Sequence, residues 1–226
     1  RLRTGRLEVR ILSGAMNIQA FPSGPFETNA YVVSCPDTKE AAIIDPAPNS
    51  AESIVNYINK HHLTPKKILL THTHWDHIGD VYPLKEKYHI PVYVHEYDVF
   101  NLENPGSDGL PCWISIEGVV PDYLLKEGDR VSIGNQIFEV IETPGHTPGG
   151  VCFYNGNQHL LFSGDTLFKG TIGNLSFPTS RPHLMWTSLS KLAKLPAETR
   201  VFPGHGLETT IGQEKWLERA EELFGE

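Results

Sequence analysis

A cluster of histidine and aspartate residues constrains this chain more than any other feature. His72, His74, Asp76 and His77 fall within six consecutive positions, directly after the apolar run Ile68–Leu70. That run predicts a buried strand. Because side chains two positions apart in an extended segment point the same way, His72 and His74 can share one metal ion. The helical pattern that follows would direct Asp76 and His77 toward a second, adjacent metal, and this mixture of ligands favours zinc, iron or manganese.

Composition limits the classes of partner. The 226 residues are 39% hydrophobic, which is enough apolar material for one large domain or two small ones. The net charge of −8 argues against nucleic acid and against an anionic membrane surface as partners. The three cysteines are widely spaced and odd in number, so we expect no disulfide framework and a cytoplasmic location. No apolar run approaches the length of a membrane span, and both a monomer and a homodimer remain open.

The first fifteen residues differ from the rest of the chain. Arg1–Ala15 contains four arginines and little periodicity, and Met16 then opens a strand pattern. We therefore predict a vector-derived or disordered extension at residues 1–15 and one domain at residues 16–226. An arginine-rich transit peptide is the alternative, although the segment has only one serine.

Alternating and helical patterns outline the secondary structure. Strands are predicted at Asn17–Phe21, Ala30–Cys35, Ala41–Ile44, Lys67–Leu70, Val92–Val94, Arg130–Ile133, Gln136–Glu142, Val151–Tyr154, His159–Phe162 and Arg200–Phe202. Helices are predicted at Ser50–His61 with Ser50 as cap, Gly79–Tyr88, Glu96–Leu102, Pro182–Leu195 and Gly212–Phe224. The stretch Glu103–Leu125 has no clear period, and we expect it to form a wall of the substrate cleft. Two blocks of strands, each followed by helices, favour two sheets packed face to face with helices outside.

Three later turns carry further residues of the same chemical type. His146, Asp165 and His205 each lie in a tight turn with glycine, directly after an apolar strand pattern. Glycine lets the backbone turn closely beside another group. A single histidine in such a turn is usually structural, but three such turns after a dense histidine cluster indicate one common site.

This pattern resembles the metallo-β-lactamase superfamily over nearly the whole chain from Met16. The resemblance rests on His72-x-His74-x-Asp76-His77, His146, Asp165 and His205. It implies an α+β fold, the four-layer αββα sandwich, with a two-metal site at its edge. By position, His72, His74 and His146 would hold one metal, Asp76, His77 and His205 would hold the other, and Asp165 would bridge them. Asp45, at the end of its strand, resembles the family's structural aspartate, which supports the ligands without binding metal.

Within the superfamily the chain looks most like the glyoxalase II group, the hydroxyacylglutathione hydrolases. The likeness lies in Thr143–Gly149, Gly164–Phe168 and Gly170–Gly173. Two departures concern glutathione recognition rather than metal chemistry. The sequence Gly173-Asn174-Leu175-Ser176 replaces the common Gly-Arg-x-Asp, and only Gly206–Glu226 follows the last ligand, where full-length enzymes have a helical domain. The chain thus resembles the short, single-domain branch.

The resemblance implies a metal-dependent hydrolase that uses a metal-bridged hydroxide. The expected substrates are small acyl thioesters such as S-D-lactoylglutathione, and the expected cofactors are two zinc ions, with iron or manganese possible. Metal binding lowers the pKa of water to about 7, and Asp76 would orient the hydroxide and accept a proton. Lys169 and Arg181 are candidates for binding a substrate carboxylate, and His183 is a candidate for substrate contact.

Three other functions compete with this one. A mononuclear-iron oxidoreductase similar to the persulfide dioxygenases would use part of the same ligand set. A lactonase or β-lactamase would share the metal loop. A non-enzymatic binding module on the same fold is disfavoured, because every ligand position carries a metal-binding residue.

Overall fold

The computed structural model describes residues 14–225. The extension expected at residues 1–15 lies almost entirely outside that range and stays a prediction, as does the single domain at residues 16–226. Within the described range, no helix is both long and apolar enough to cross a membrane.

The first half of the chain forms a six-stranded sheet with the order β1-β2-β3-β4-β5-β6. Its strands are Asn17–Ser23 (β1), Thr28–Ser34 (β2), Glu40–Ile44 (β3), Thr64–Leu69 (β4), Val92–His95 (β5) and Tyr123–Leu125 (β6). β1, β2 and β3 pair antiparallel, whereas β3, β4, β5 and β6 pair parallel. The carboxyl ends of β3, β4 and β5 therefore meet at one edge of the sheet, together with the β1–β2 turn.

The second half forms another six-stranded sheet with the order β12-β11-β10-β9-β8-β7. Its strands are Arg130–Ile133 (β7), Gln136–Glu142 (β8), Val151–Asn155 (β9), Leu160–Gly164 (β10), Arg200–Pro203 (β11) and Thr209–Thr210 (β12). β10 and β11 are parallel, and β9 runs antiparallel to both β8 and β10. The carboxyl ends of β8, β10 and β11 therefore share an edge as well.

Helices cover the outer face of each sheet. The helices on the first sheet are Ala51–His61 (α1), Val81–Tyr88 (α3) and Val99–Glu103 (α4). The helices on the second sheet are Pro182–Leu192 (α5) and Ala220–Phe224 (α6). The short helix Trp75–Ile78 (α2) lies at the edge of the first sheet.

Three hydrophobic clusters define the layers. Val33 and Phe138 belong to the core between the two sheets, whereas Val32 packs with Ile54 of α1 in a second cluster, and Leu189 of α5 belongs to a third on the other sheet. The adjacent residues Val32 and Val33 enter different cores because side chains alternate along a strand. Each fully buried aliphatic side chain stabilises the fold by about 1.5–3 kcal/mol. The predicted αββα sandwich is confirmed.

The predicted C-terminal helix Gly212–Phe224 is wrong. The structure has 3-10 turns at Ile211–Gln213 and Leu217–Arg219, followed by α6. Glu214 explains the interruption, because its buried carboxylate accepts hydrogen bonds from Gly170 N at 2.8 Å and from Trp216 Nε1 at 2.6 Å. These contacts hold Glu214 outside helical geometry and override the local helical preference.

Smaller differences occur at other element ends. Tyr123–Leu125, which was expected to be loop, pairs with β5 as an edge strand. The helix predicted at Gly79–Tyr88 begins only at Val81. Ser50 makes no capping bond with its side chain. Instead, Asp80 Oδ2 accepts from Ala51 N at 2.7 Å, so a distant carboxylate satisfies the start of α1.

The long helix of the second half is also shorter than predicted. The pattern predicted Pro182–Leu195, but α5 ends at Leu192. Leu189 and Leu192 are buried as the periodicity suggests, whereas Leu184 is only half-buried and Met185 takes the inward position.

Candidate metal centre

The candidate ligands converge where the carboxyl ends of the central strands of both sheets meet. His72, His74, Asp76 and His77 follow β4, His146 follows β8, Asp165 follows β10 and His205 follows β11. All are buried except His205, which is half-buried. The structure thus brings together every residue that the sequence indicated as a metal ligand.

The histidines and Asp76 form two groups. His72, His74 and His146 have ligand atoms within 4.8 Å of one another. Asp76, His77 and His205 form the second such group, also within 4.8 Å. Asp76 Oδ2 lies 3.5 Å from His77 Nε2 and 3.3 Å from His205 Nε2.

Asp165 lies between the two groups. Its Oδ1 is 3.3 Å from His77 Nε2, and its Oδ2 is 3.4 Å from both His146 Nε2 and His205 Nε2. A tetrahedral metal with bonds of about 2.0–2.1 Å separates its ligand atoms by about 3.3–3.4 Å. One carboxylate therefore contacts both groups at distances suited to shared coordination.

Backbone carbonyls orient two of the histidines. His146 Nδ1 lies 2.8 Å from Asn174 O, and His205 Nδ1 lies 3.0 Å from Phe26 O. A carbonyl oxygen only accepts hydrogen bonds, so Nδ1 carries a proton in both rings and Nε2 is the nitrogen that faces the site.

Asp45 orients one histidine of each group. Its Oδ1 accepts from Thr71 N at 2.8 Å, and its Oδ2 accepts from Thr71 Oγ1 at 2.6 Å and from His77 Nδ1 at 3.1 Å. Because Thr71 Oγ1 donates to Asp45, it accepts from His72 Nδ1, which is 3.1 Å away. Asp45 therefore supports His72 and His77 from the side opposite their metal-facing nitrogens.

The buried polar atoms at the centre of the site fit a metal. Nε2 of His72, His74, His77 and His146 and Oδ1 of Asp165 have no hydrogen-bond partner among the described residues. Buried polar atoms without partners are costly and uncommon in folded proteins. Imidazole nitrogens and carboxylate oxygens are the donor set that transition metals take in proteins. These residues consequently fit one or two metal ions.

The two groups differ in their affinity for protons. Burial lowers the pKa of His72 well below its usual range, and burial with repulsion from His146 lowers the pKa of His74 to about 3. Burial alone would lower the pKa of His205 as well, but the carboxylates of Asp165 and Asp76 outweigh burial and raise the pKa to about 9. The first group is therefore neutral in the metal-free protein, whereas the second holds protons.

Both acidic residues of the site are ionised. Burial would raise the pKa of Asp76, but the positive charge of His77 and the contact with His205 bring it down to about 2. Burial would likewise raise the pKa of Asp165, and His77 and His205 hold it well below its usual range. Two carboxylates are thus available as anionic ligands at neutral pH.

Gly204 lets the backbone lie close against two candidate ligands. A Cβ atom at this position would overlap Asp165 Oδ1 and His77 Cε1. Gly204 also joins the two sheets, because its carbonyl accepts from Asn29 N at 2.7 Å. A side chain here would displace the carboxylate that connects the two groups.

None of the three candidates for substrate contact belongs to the two ligand groups. Arg181 Nη1 donates to the carbonyls of Thr179 at 2.9 Å and Ser180 at 3.0 Å, and its backbone N donates to Gly145 O at 2.7 Å. The side chains of Lys169 and His183 are exposed, and neither side chain forms a hydrogen bond or ion pair with residues 14–225. Their contact with substrate stays a prediction.

Sequence reasoning missed Asp98, which joins two ligand loops. Its buried carboxylate accepts from Thr73 N at 3.0 Å, Thr147 Oγ1 at 3.1 Å and Gly149 N at 2.8 Å. Burial raises the pKa of Asp98 to about 6. A signal was present, because Asp98 follows shortly after β5 just as the ligand loop follows β4, and the ends of adjacent parallel strands lie together.

Thr28 was also missed. It begins β2 and its Oγ1 donates to Asp76 Oδ2 at 2.7 Å. No local pattern distinguishes this threonine from others, because its role depends on the antiparallel β1–β2 hairpin lying over the end of β4.

Comparisons with known proteins agree with this architecture. The chain is 36% identical over 207 residues to the hydroxyacylglutathione hydrolase GloC of Haemophilus influenzae, which covers 88% of this chain and 95% of the relative. It is 36% identical over 199 residues to the probable metallo-hydrolase YqgX of Bacillus subtilis, with 87% and 93% covered.

Solved structures give the same result. The BLEG-1 B3 metallo-beta-lactamase is 39% identical with a TM-score of 0.82 and covers 89% of this chain and 100% of its own. TTHA1623 in a di-iron-bound form is 39% identical with a TM-score of 0.78, with 87% and 96% covered. A family model described as the metallo-beta-lactamase superfamily matches residues 23–205. That span reaches from the β1–β2 hairpin to the last candidate ligand, and the chain therefore belongs to the metallo-β-lactamase superfamily, a group of metallo-hydrolases.

Proposed function

We propose that the chain is a hydrolase of small acyl thioesters that works with two bound metal ions. The observation that carries the proposal is the carboxylate of Asp165, which contacts His77, His146 and His205 at 3.3–3.4 Å. A 36% identical relative named as a hydroxyacylglutathione hydrolase supports the thioester class. S-D-lactoylglutathione is accordingly the first substrate to test.

The proposed ligand assignment follows the two groups. One metal would be held by His72, His74 and His146. The other metal would be held by Asp76, His77 and His205, and Asp165 would bind both metals. Zinc is the first expectation because four-coordinate nitrogen and oxygen sites suit it, and iron is the alternative because a 39% identical structure is di-iron-bound. Bound metal would polarise the scissile carbonyl and lower the pKa of water to about 7.

Asp76 would carry the proton in this reaction. Its Oδ2 accepts from Thr28, which fixes the carboxylate and leaves Oδ1 for the attacking water. Asp76 is a carboxylate at neutral pH in the metal-free protein, and in the reaction it would hold a proton only transiently. It would relay a proton from water to the departing sulfur while the C–O bond forms and the C–S bond breaks, so that the products are an acid and a thiol.

The test is hydrolysis of S-D-lactoylglutathione by protein purified with metal supplied. We expect close to two metals per chain and turnover of the thioester. In Asp165→Asn we expect one metal or none and a loss of activity above about 100-fold, beyond the loss typical for a supporting residue. Asp37→Asn, which changes an exposed aspartate, should behave as the original protein. Normal turnover by Asp165→Asn, or one metal per chain under all conditions, would contradict the proposal.

A lactam or lactone hydrolase is a second candidate. The observation in its favour is the 39% identity to a structure of a B3 metallo-beta-lactamase. A panel of β-lactams and lactones, assayed beside the thioester, would distinguish the two candidate functions, because the substrate class with the larger kcat/KM identifies the enzyme's class. Oxygen uptake with glutathione persulfide would identify the mononuclear-iron oxidoreductase instead.

A further inference from the structure

Three aromatic side chains pack together beside the second ligand group, and two of them are exposed. We call Phe26, Trp75 and Trp113 the aromatic platform. Ring centroids are 5.3 Å apart for Phe26 and Trp75, 5.7 Å for Trp75 and Trp113, and 6.3 Å for Phe26 and Trp113. Trp75 is buried at the base, whereas Phe26 is 50% exposed and Trp113 is 70% exposed.

The platform is attached to the candidate metal centre by the backbone. The carbonyl of Phe26 accepts the hydrogen bond from His205 Nδ1 at 3.0 Å. Trp75 directly precedes Asp76 in α2. Each of these two aromatic residues is thus linked to a candidate ligand, so the platform keeps a constant position relative to the second group.

Trp113 comes from a distant part of the chain. It lies in the irregular stretch between α4 and β6, and it contacts both other members of the platform. Its indole nitrogen forms no hydrogen bond with residues 14–225, so the contacts made by this side chain are ring contacts. Large apolar side chains left exposed together, beside a site, mark a place where an apolar group binds.

We infer that the aromatic platform binds an aryl group on the acyl arm of the substrate, and hence that arylacyl thioesters are preferred over short hydroxyacyl thioesters. This inference rests on the proposed thioester hydrolysis. A thiol arm such as glutathione carries two carboxylates and an ammonium group, which an apolar platform does not accommodate. The acyl arm is the part of such a substrate that supplies an apolar ring, and aromatic rings stack favourably at centroid distances of about 4.5–7 Å.

A matched pair of substrates tests the preference. S-D-mandeloylglutathione and S-D-lactoylglutathione differ only in a phenyl group in place of a methyl group. We expect kcat/KM of the metal-loaded protein to favour the mandeloyl thioester by at least about tenfold, since one added methylene in an apolar pocket already changes kcat/KM by about 10- to 200-fold. In Trp113→Ala and Phe26→Ala this ratio should fall about three- to tenfold.

The control is Tyr123→Ala, which removes an aromatic side chain of similar exposure, 54%, on the edge strand β6. It should leave the ratio unchanged. A ratio near one in the original protein would overturn the inference, as would a ratio that Trp113→Ala and Phe26→Ala leave intact.

A binding measurement decides the inference without turnover. S-benzylglutathione and S-methylglutathione are thioethers that cannot be hydrolysed, and calorimetry on the metal-loaded protein gives both dissociation constants. We expect the benzyl compound to bind at least about tenfold more tightly and to lose most of that advantage in Trp113→Ala. Equal binding of the two compounds overturns the platform's role. If neither thioester is hydrolysed while the benzyl preference is present, the proposed function fails and the apolar subsite stands.

Discussion

Asp45 shows how a residue outside the ligand set influences both groups. Its φ of +47° lies in the left-handed region that residues other than glycine disfavour. Bonds from Thr71 N, Thr71 Oγ1 and His77 Nδ1 hold the carboxylate in place despite this strain. The residue thereby fixes the tautomer of His77 directly and that of His72 through Thr71.

Replacing Asp45 tests this support. In Asp45→Ala we expect metal affinity to fall about 10- to 100-fold, the usual effect of removing a partner that orients a ligand. Competition with a chromogenic chelator measures the change, and Asp37→Ala serves as the exposed control. Affinity equal to that of the original protein would show that His77 keeps its orientation without the carboxylate.

At the scale of elements, Asp98 connects loops that leave different sheets. Thr73 belongs to the loop after β4 in the first sheet, and Gly149 belongs to the loop between β8 and β9 in the second. Each loop carries a histidine of the first group. The separation between His74 and His146 therefore depends on a carboxylate that is not itself near a ligand nitrogen.

The Asp98→Asn variant should lower the free energy of unfolding of the metal-free protein. Asparagine presents one acceptor and one donor where the carboxylate presents two acceptors, so one or more buried donors lose their partner. Each lost partner costs about 1–3 kcal/mol of unfolding free energy. Chemical denaturation at pH 7 measures the loss. Unfolding free energies that agree within error would show that the loops are held by other contacts.

The same variant tests the raised pKa of Asp98. The carboxyl has a pKa of about 6 in the folded protein and about 3.9 in an unfolded chain. The folded state therefore binds the proton more tightly, and the stability contributed by this group is full below about pH 4 and declines as pH rises to about 6. The stability difference between the original protein and Asp98→Asn should shrink over that window by on the order of 3 kcal/mol.

At the scale of the whole molecule, each ligand group draws residues from both sheets, and the two groups differ in protonation. Burial keeps the histidines of the first group neutral, as the lowered pKa values of His72 and His74 show. The carboxylates raise the pKa of His205 to about 9 and that of His77 well above its usual range, against the effect of burial. A metal entering the second group must displace protons, whereas one entering the first does not.

Metal loading should therefore proceed in two steps with different pH dependence. Near pH 6 we expect one tightly bound metal per chain. Affinity for the second should rise with pH up to about 9, where His205 loses its proton. Metal titrations at fixed pH, with calorimetry in buffers of different ionisation enthalpy, would show proton release mainly in the second step. Equal pH dependence of metal affinity in both steps would contradict the proposed difference in protonation between the two ligand groups.

The sequence by itself determined the layers of this protein and its candidate ligands. The continuous apolar run of β2 and the alternating pattern of β8 indicate strands, and two blocks of strands followed by helices predict two sheets packed face to face. The ligand candidates could be found because histidine and aspartate in glycine-containing turns directly after strands are a local signature. Parallel strands then bring those turns to one edge.

Only the tertiary structure decided the contacts that have no local signature. Asp98 joins residues 25 and 51 positions away. Glu214 interrupts a helical pattern because Gly170 donates to it from another part of the chain, and Trp113 contacts the ring of Trp75 from a distant loop. Such contacts depend on where the two sheets place their loops. Helix propensities differ by only a few tenths of a kcal/mol per residue, up to about 1 kcal/mol. They therefore neither determine where the loops lie nor prevent tertiary contacts that oppose them.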